Sequence, residues 1–251
     1  MNKALSMAPK PVGPARKSSR GQMITIVNTL GTRIAANFYQ PGDTLPIEQK
    51  LADSLHVGRN ALREAVKVLS GKGLISTTPR AGTKVRPRDE WNMLDPDVLK
   101  WHADPEVASD GFMLDLIELR LIVEPQAAEL AAIRATREDI ARILSAYEAM
   151  ADSNGDLEKR LVADIEFHSS ILKASHNSVL NHVKYAIATY LKAHARLGRA
   201  FDNEHGEEDL ERHRKIATAI ATGNAKTAHQ LTLDILDLNR SHFNSLETST
   251  N

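Results

Sequence analysis

The spacing of breaks between residues 22 and 86 constrains this chain more than any other feature. Met23, Ile26, Val27, Leu30, Ile34 and Ala35 recur at helical spacing, and Pro41-Gly42-Asp43 then ends the run. A short second helix over 47–55 carries Leu51, Ala52 and Leu55 on its inner face, and His56-Val57-Gly58 makes a tight turn. A third helix over 59–71 buries Leu62, Ala65, Val66 and Leu69, and Gly73 stops it. Residues 74–78 and 83–86 read as two short strands joined by Pro79-Arg80-Ala81-Gly82, which predicts a hairpin. Helix, helix, tight turn, helix, hairpin is the order of a winged helix-turn-helix.

The rest of the chain reads differently. Residues 89–96 form a polar connector ending in proline. Beyond it the apolar spacing predicts helices over 97–103, 111–133, 137–152, 156–174, 178–199, 207–222 and 225–246. Thr136 with Asp139 three residues on fits a helix-capping pair. Only 4% of residues are aromatic and no alternating β-branched run appears, so this part is expected to be an antiparallel all-α bundle of six to seven helices. The fold expectation is mainly α. A winged domain over 21–88 is joined through 89–96 to a bundle over 97–246, with a basic disordered tail at 1–20 and a short tail at 247–251.

Composition narrows the function. There is no cysteine, which removes disulfides, thiolate nucleophiles and zinc ribbons. No apolar run approaches the roughly 20 residues of a membrane span, and the first 20 residues lack a secretory apolar core, so a cytoplasmic, nucleoid-associated protein without a membrane partner is expected. The formal net charge is zero, but unevenly distributed. Residues 1–90 carry fifteen Lys+Arg against six Asp+Glu, a net of +9, and residues 91–251 carry seventeen against twenty-six, a net of −9. A basic third joined to an acidic remainder suggests a polyanion-binding module attached to something else.

The stretch PGDTLPIEQKLADSLHVGRNALREAVKVLSGKGLISTTPRAGTKV resembles the DNA-binding domain of GntR-type bacterial regulators. Its Pro-Gly turn, Leu-Ala pair, R-x-x-x-R-E-A helix and G-T-K-V wing carry the resemblance. In such a domain the second helix of the motif enters the major groove N-terminus first, which puts Arg59, Asn60 and Arg63 at the groove. Arg59 and Arg63 share a helix face, and arginine can donate two bonds to guanine O6 and N7. Lys67, one turn on, suits a phosphate, and Arg80 and Gly82 at the wing tip can reach the minor groove or the backbone. The alternative is that Arg59 and Arg63 are solvated helix charges, weakly paired with Glu64 or Glu48. Gln49 stands where many relatives have arginine, a departure that can shift base preference.

The helical part is similar to the FCD ligand-binding domain of the FadR subfamily, on E-L-R-L-I-V-E-P (118–125), D-I-E-F-H (164–168), A-S-H-N-S-V-L (174–180) and E-R-H-R-K-I-A-T-A-I (211–220). The connector W-N-M-L-D-P-D-V-L-K-W (91–101) is similar to that of sugar-acid-responsive members. Asp164 and His168 are four apart on one helix face, a spacing that lets a carboxylate and an imidazole meet one cation, although it also fits a plain surface pair. The resemblance implies metal ligands at Asp164, His168 and His213, a set suited to a divalent transition metal, zinc foremost. A further histidine usual in metal-binding relatives is absent, and Ile235 takes its position. Asp234 and His229 lie nearby out of register, so the implied site has three ligands and is open. Arg120, in an apolar stretch, needs a partner, either Glu124 one turn on or, as the resemblance implies, an effector carboxylate held bidentately. Asp209, on the face of His213, is a candidate hydroxyl acceptor. Pro125 removes a helical N–H and predicts a kink near this pocket. His176, Asn177 and His182 read as cap and surface residues.

Together these imply a transcription regulator, not an enzyme. A homodimer would bind double-stranded DNA at a palindromic operator and, as a repressor, be released by a small carboxylate. A metal-dependent hydrolase fused to a DNA-binding module is the rival, although no general-base pattern such as H-E-x-x-H accompanies the metal pair. A nonspecific architectural DNA binder would leave the acidic two-thirds without a task.

Overall fold

The computed structural model describes residues 19–196 and 206–248. The predicted tail at 1–20 lies outside these residues except for Ser19 and Arg20, which open the first helix. The predicted end of the helix at 178–199 and residues 249–251 also lie outside them. The chain divides into two compact units at Trp91/Asn92.

The first unit holds α1 (Ser19–Ala35), α2 (Glu48–Ser54), α3 (Arg59–Gly71) and the antiparallel strands β1 (Ile75–Thr78) and β2 (Gly82–Val85). Ile26, Val27, Leu30 and Ile34 of α1 pack with Leu62, Ala65 and Leu69 of α3, all buried. Gly73 has φ +82° and turns the chain out of α3, while Leu74 N–H donates back to the Leu69 carbonyl, closing a glycine-dependent C-terminal cap. The hairpin pairs Ile75 with Val85 and Thr78 with Gly82. Its second strand is pinned by the 42–45 segment, since Val85 N–H donates to Asp43 O (2.9 Å) and Leu45 N–H to Thr83 O (2.8 Å). Both strands sit within a residue of the expected positions. Part of the connector is ordered with this unit: residues 88–90 make a single 3₁₀ turn, and buried Trp91 donates from Nε1 to Arg86 O at 2.9 Å.

The second unit comprises α4 (Pro96–His102), α5 (Asp110–Arg134), α6 (Arg137–Ala151), α7 (Leu157–Ala174), α8 (Lys184–Arg196), α9 (Gly206–Ala221) and α10 (Ala225–Thr248). α5 is the central element and packs against α7, α8, α9 and α10. Most of the helix starts are fixed by side chains. Asp95 accepts from Asp97 and Val98 N–H, Ser109 from Phe112 N–H, and Asp156 from Glu158 and Lys159 N–H. Thr136 and Asp139 form the reciprocal capping box anticipated from sequence. α5 continues through buried Pro125 to Arg134, so the proline does not end the helix.

One predicted helix is shorter than expected. The 178–199 run begins with a 3₁₀ turn at Leu180–Val183 before α8 starts at Lys184. His176 has φ +50°, and Asn177 Oδ1 accepts from both Val179 and Leu180 N–H, holding those donors away from a regular helical start.

Candidate DNA-reading face and buried metal-binding cluster

The apolar face of α3 fixes the opposite face in solvent. Arg59, Asn60 and Arg63 are exposed on its first turns. Arg63 Nε donates to Glu48 Oε2 at 2.9 Å, and Lys67 Nζ to Glu64 Oε1 at 2.9 Å, with all four side chains substantially solvated. The Arg63–Glu48 pair is one of the weak pairs held open as the alternative reading, while Glu64 is taken by Lys67. Each pair is worth about 0–1 kcal/mol and can be exchanged for phosphate or base contacts. Gln49 on α2 donates from Nε2 to both Asp53 carboxylate oxygens, at 2.7 and 2.9 Å, which fixes its amide orientation. Arg80 is exposed at the hairpin tip. Gly82 follows at φ +83°, a conformation that strains any residue with a Cβ.

In the helical unit the charges are buried. Asp164 and His168 lie one turn apart on α7, and His213 faces them from α9; all three are about 5% exposed or less. Asp164 Oδ1 is 3.3 Å from His168 Nε2 and 3.4 Å from His213 Nε2, and one ligand atom from each residue falls within 4.8 Å of the others. The far side of each ring is engaged. His168 Nδ1 lies 2.5 Å from Glu124 Oε2, and His213 Nδ1 lies 2.8 Å from the main-chain oxygen of Asp209. With the proton on each Nδ1, both Nε2 lone pairs converge on a carboxylate oxygen, leaving Asp164 Oδ1 and His213 Nε2 shut from solvent without a hydrogen-bond partner. Three converging electron pairs with orphaned buried atoms fit a cation, and the imidazole and carboxylate donors suit a divalent transition metal.

The electrostatics show how strongly the cluster favours positive charge. Burial opposes the charge on Asp164, but the two imidazoles outweigh it and hold its carboxyl below the usual range. Burial lowers His168, but Glu124 and Asp164 push it up to about 9. His213 is also raised, with Asp164 and Asp209 overcoming burial. The cluster therefore attracts positive charge between its carboxylates, as a proton or as a metal that replaces it.

Arg120 on α5 is 2% exposed. Its Nε donates to Glu124 Oε1 at 2.5 Å, and its guanidinium carbon sits 4.7 Å from the centre of the Tyr190 ring of α8. Arg120 Nη1 is buried and has no hydrogen-bond partner. Burial pushes the Glu124 carboxyl up, yet Arg120 and His168 hold it at about 2. Asp209 stands behind the trio. Its carboxylate accepts from Arg160 Nη2 at 3.0 Å while its main chain holds His213. Ile235 is buried and supplies no ligand. Asp234 accepts from Gln230, and His229 lies against Glu129 and Gln126, so neither joins the trio. His176 donates to Asp139 (2.8 Å) and Asn177 caps the following turn, as surface and cap residues do. A groove of about 720 Å³ on α6 and α7, lined by Arg142, Ala149, Lys159, Val162 and Glu166, contains neither the trio nor Arg120.

Sequence reasoning treated Glu124 as a bare counter-ion and passed over Arg160, Phe167 and Tyr190. Arg160 precedes Asp164 by one turn, a spacing visible in the sequence. The Phe167 ring lies 5.7 Å from His168 and 5.1 Å from His213, and this wall, like the Tyr190 face over Arg120, depends on helix packing that no spacing encodes.

Residues 24–85 match the family described as bacterial regulatory proteins, gntR family, and residues 115–238 match the FCD domain. The galactonate operon transcriptional repressor of Escherichia coli (strain K12) is 35% identical over 215 residues, spanning 84% of this chain and 92% of that protein. The chain belongs to the GntR family. The Uxu operon transcriptional regulator of the same organism is 30% identical over 202 residues, 76% of this chain and 74% of that one. A solved structure of Lar, which controls the expression of the Listeria monocytogenes agr system and mediates virulence, superposes with a TM-score of 0.63 at 17% identity, covering 93% of this chain and all of that one. At that identity the likeness bears on fold alone. As a GntR-family protein with an FCD domain the chain is a DNA-binding transcriptional regulator rather than an enzyme, which sets aside the hydrolase reading. Among the described residues, no helix is long and apolar enough to cross a membrane.

Proposed function

We propose that this GntR-family regulator is a cytoplasmic homodimeric repressor that binds a palindromic operator through Arg59, Asn60, Arg63, Lys67 and the wing residues Arg80 and Gly82, and that a small sugar acid or hydroxy acid releases it. Gln49 would tune base preference from α2. The effector would lie between Arg120 and a divalent metal, zinc foremost, held by Asp164, His168 and His213. A metal bound there supplies a Lewis-acid contact for an effector oxygen.

The observation that carries this reading is the charge balance of the buried cluster. Arg120 is positive, Glu124 and Asp164 are negative, and the two histidines are neutral when they present Nε2 to a metal. The cluster then holds one net negative charge, and one net positive charge with a divalent cation in place. A single effector carboxylate on the free Arg120 Nη1 edge restores neutrality, which a buried site strongly favours. The name of the galactonate relative supports the sugar-acid class. For release, the acid must bind the two conformational states of the protein unequally. A thermal-shift screen of the zinc-loaded protein against aldonates, uronates and hydroxy acids tests the reading. The expected result is a shift with a carboxylate of this class that disappears in Arg120→Met. A stabilising acid whose shift survives that substitution would place the effector elsewhere.

A further inference from the structure

The carboxylate of Glu124 does more than a counter-ion of Arg120 requires. Neutralising an arginine one turn earlier on the same helix takes one oxygen, and Oε1 supplies it at 2.5 Å. The second oxygen, Oε2, is spent on a different helix, 2.5 Å from His168 Nδ1. Glu124 is 3% exposed, so neither oxygen is left to water. One rigid group therefore decides two things at once. It occupies the outer nitrogen of His168, which makes Nε2 the nitrogen that faces Asp164 and His213. It also occupies Arg120 Nε, which leaves the buried Nη1 as the open edge of the guanidinium.

We propose that Glu124 is a positioning residue that couples the two halves of the pocket, orienting His168 as a metal ligand while aiming Arg120 at an anion. This rests on the metal-and-carboxylate reading of the cluster and adds to it a residue that touches neither ligand. No second acceptor for His168 Nδ1 appears among the described contacts, whereas His213 has its own in the main chain of Asp209. The two histidines therefore differ at the outer nitrogen: His213 Nδ1 has a main-chain acceptor at 2.8 Å, whereas the acceptor at His168 Nδ1 is the side chain of Glu124.

The test compares two double variants in which Arg120 is removed with Glu124, so that no charge is left buried and unpaired. Arg120→Met with Glu124→Gln keeps an amide oxygen that can accept from His168 Nδ1–H. Arg120→Met with Glu124→Leu keeps the volume and removes the acceptor. Zinc is titrated into each full-length chain and into the wild type, and the histidine tautomers of the metal-free chains are read by ¹⁵N NMR at a pH where the imidazoles are neutral. Loss of such an outer partner typically weakens metal binding roughly 10–100-fold. The expected result is a gap of that size between the Gln and Leu variants, with His168 moving toward the Nε2–H tautomer only in the Leu variant. Equal zinc affinity and equal tautomers in the two folded variants would overturn the positioning role while leaving the metal site intact. A wild type that takes up no zinc would instead overturn the metal reading beneath it.

Discussion

The two units treat charge and helix ends in opposite ways. In the winged unit, α2 and α3 start without a side-chain cap, at Ile47 and Gly58, and Arg63 and Lys67 of α3 sit in solvent with single weak partners. In the helical unit, α4, α5, α6 and α7 are each capped by their own Asp, Ser or Thr side chain, and the functional charges are buried with several partners each. On the function proposed above, the difference follows from what each unit would meet. A surface that binds a polyanion benefits from donors and cations that are free to change partner. A pocket that holds a metal and one small acid must have every group positioned before the ligand arrives, because an unpartnered buried charge is expensive.

That contrast can be broken at specific residues. The largest effect is expected at Glu124→Ala, which leaves Arg120 buried without its counter-ion and should cost roughly 3–5 kcal/mol of stability by denaturant unfolding. A loss below about 1 kcal/mol would mean that the buried cluster is no more demanding than the surface pairs. Arg63→Ala should leave stability within about 1 kcal/mol, since its pair with Glu48 is solvated, while weakening operator binding and relaxing base preference by about 1–3 kcal/mol in a competition assay. Unchanged DNA affinity would remove α3 from the reading surface. The smallest effect is expected at Gly58→Ser. Gly58 has φ −73° and ψ 143°, and a Cβ there meets nothing within 4 Å, so a serine cap is tolerated and should stabilise by a few tenths of a kcal/mol in thermal unfolding. A clear destabilisation would show that the bare start of α3 is a packing requirement rather than an open end.

The same contrast explains what could be read before the structure was known. The winged unit was legible almost residue by residue, because its turns depend on local chemistry, such as Gly73 at positive φ and the Pro41-Gly42 break, and because its candidate DNA-binding residues stand at fixed offsets along one helix. In the bundle the helices and the capping box at Thr136 were legible from periodicity, while the 3₁₀ start before α8 was not, since it depends on the Asn177 side chain competing for backbone donors. Asp164 and His168 could be paired from their spacing. His213 could be added only through family resemblance, and the second partner of Glu124 lies on another helix, so only packing reveals it. At Pro125 packing decides as well, since α5 continues through that proline with neighbours on several sides.

The central claim is that a metal-anchored acid on Arg120 sets DNA affinity. It is tested most directly by selecting a bound sequence from a random DNA pool and measuring its affinity for the zinc-loaded protein with and without the stabilising acid. The account predicts that the acid weakens DNA binding in the wild type, and that in Arg120→Met this response is lost while acid-free DNA affinity is retained. A full acid response in Arg120→Met, or the same response after the zinc is removed, would contradict it.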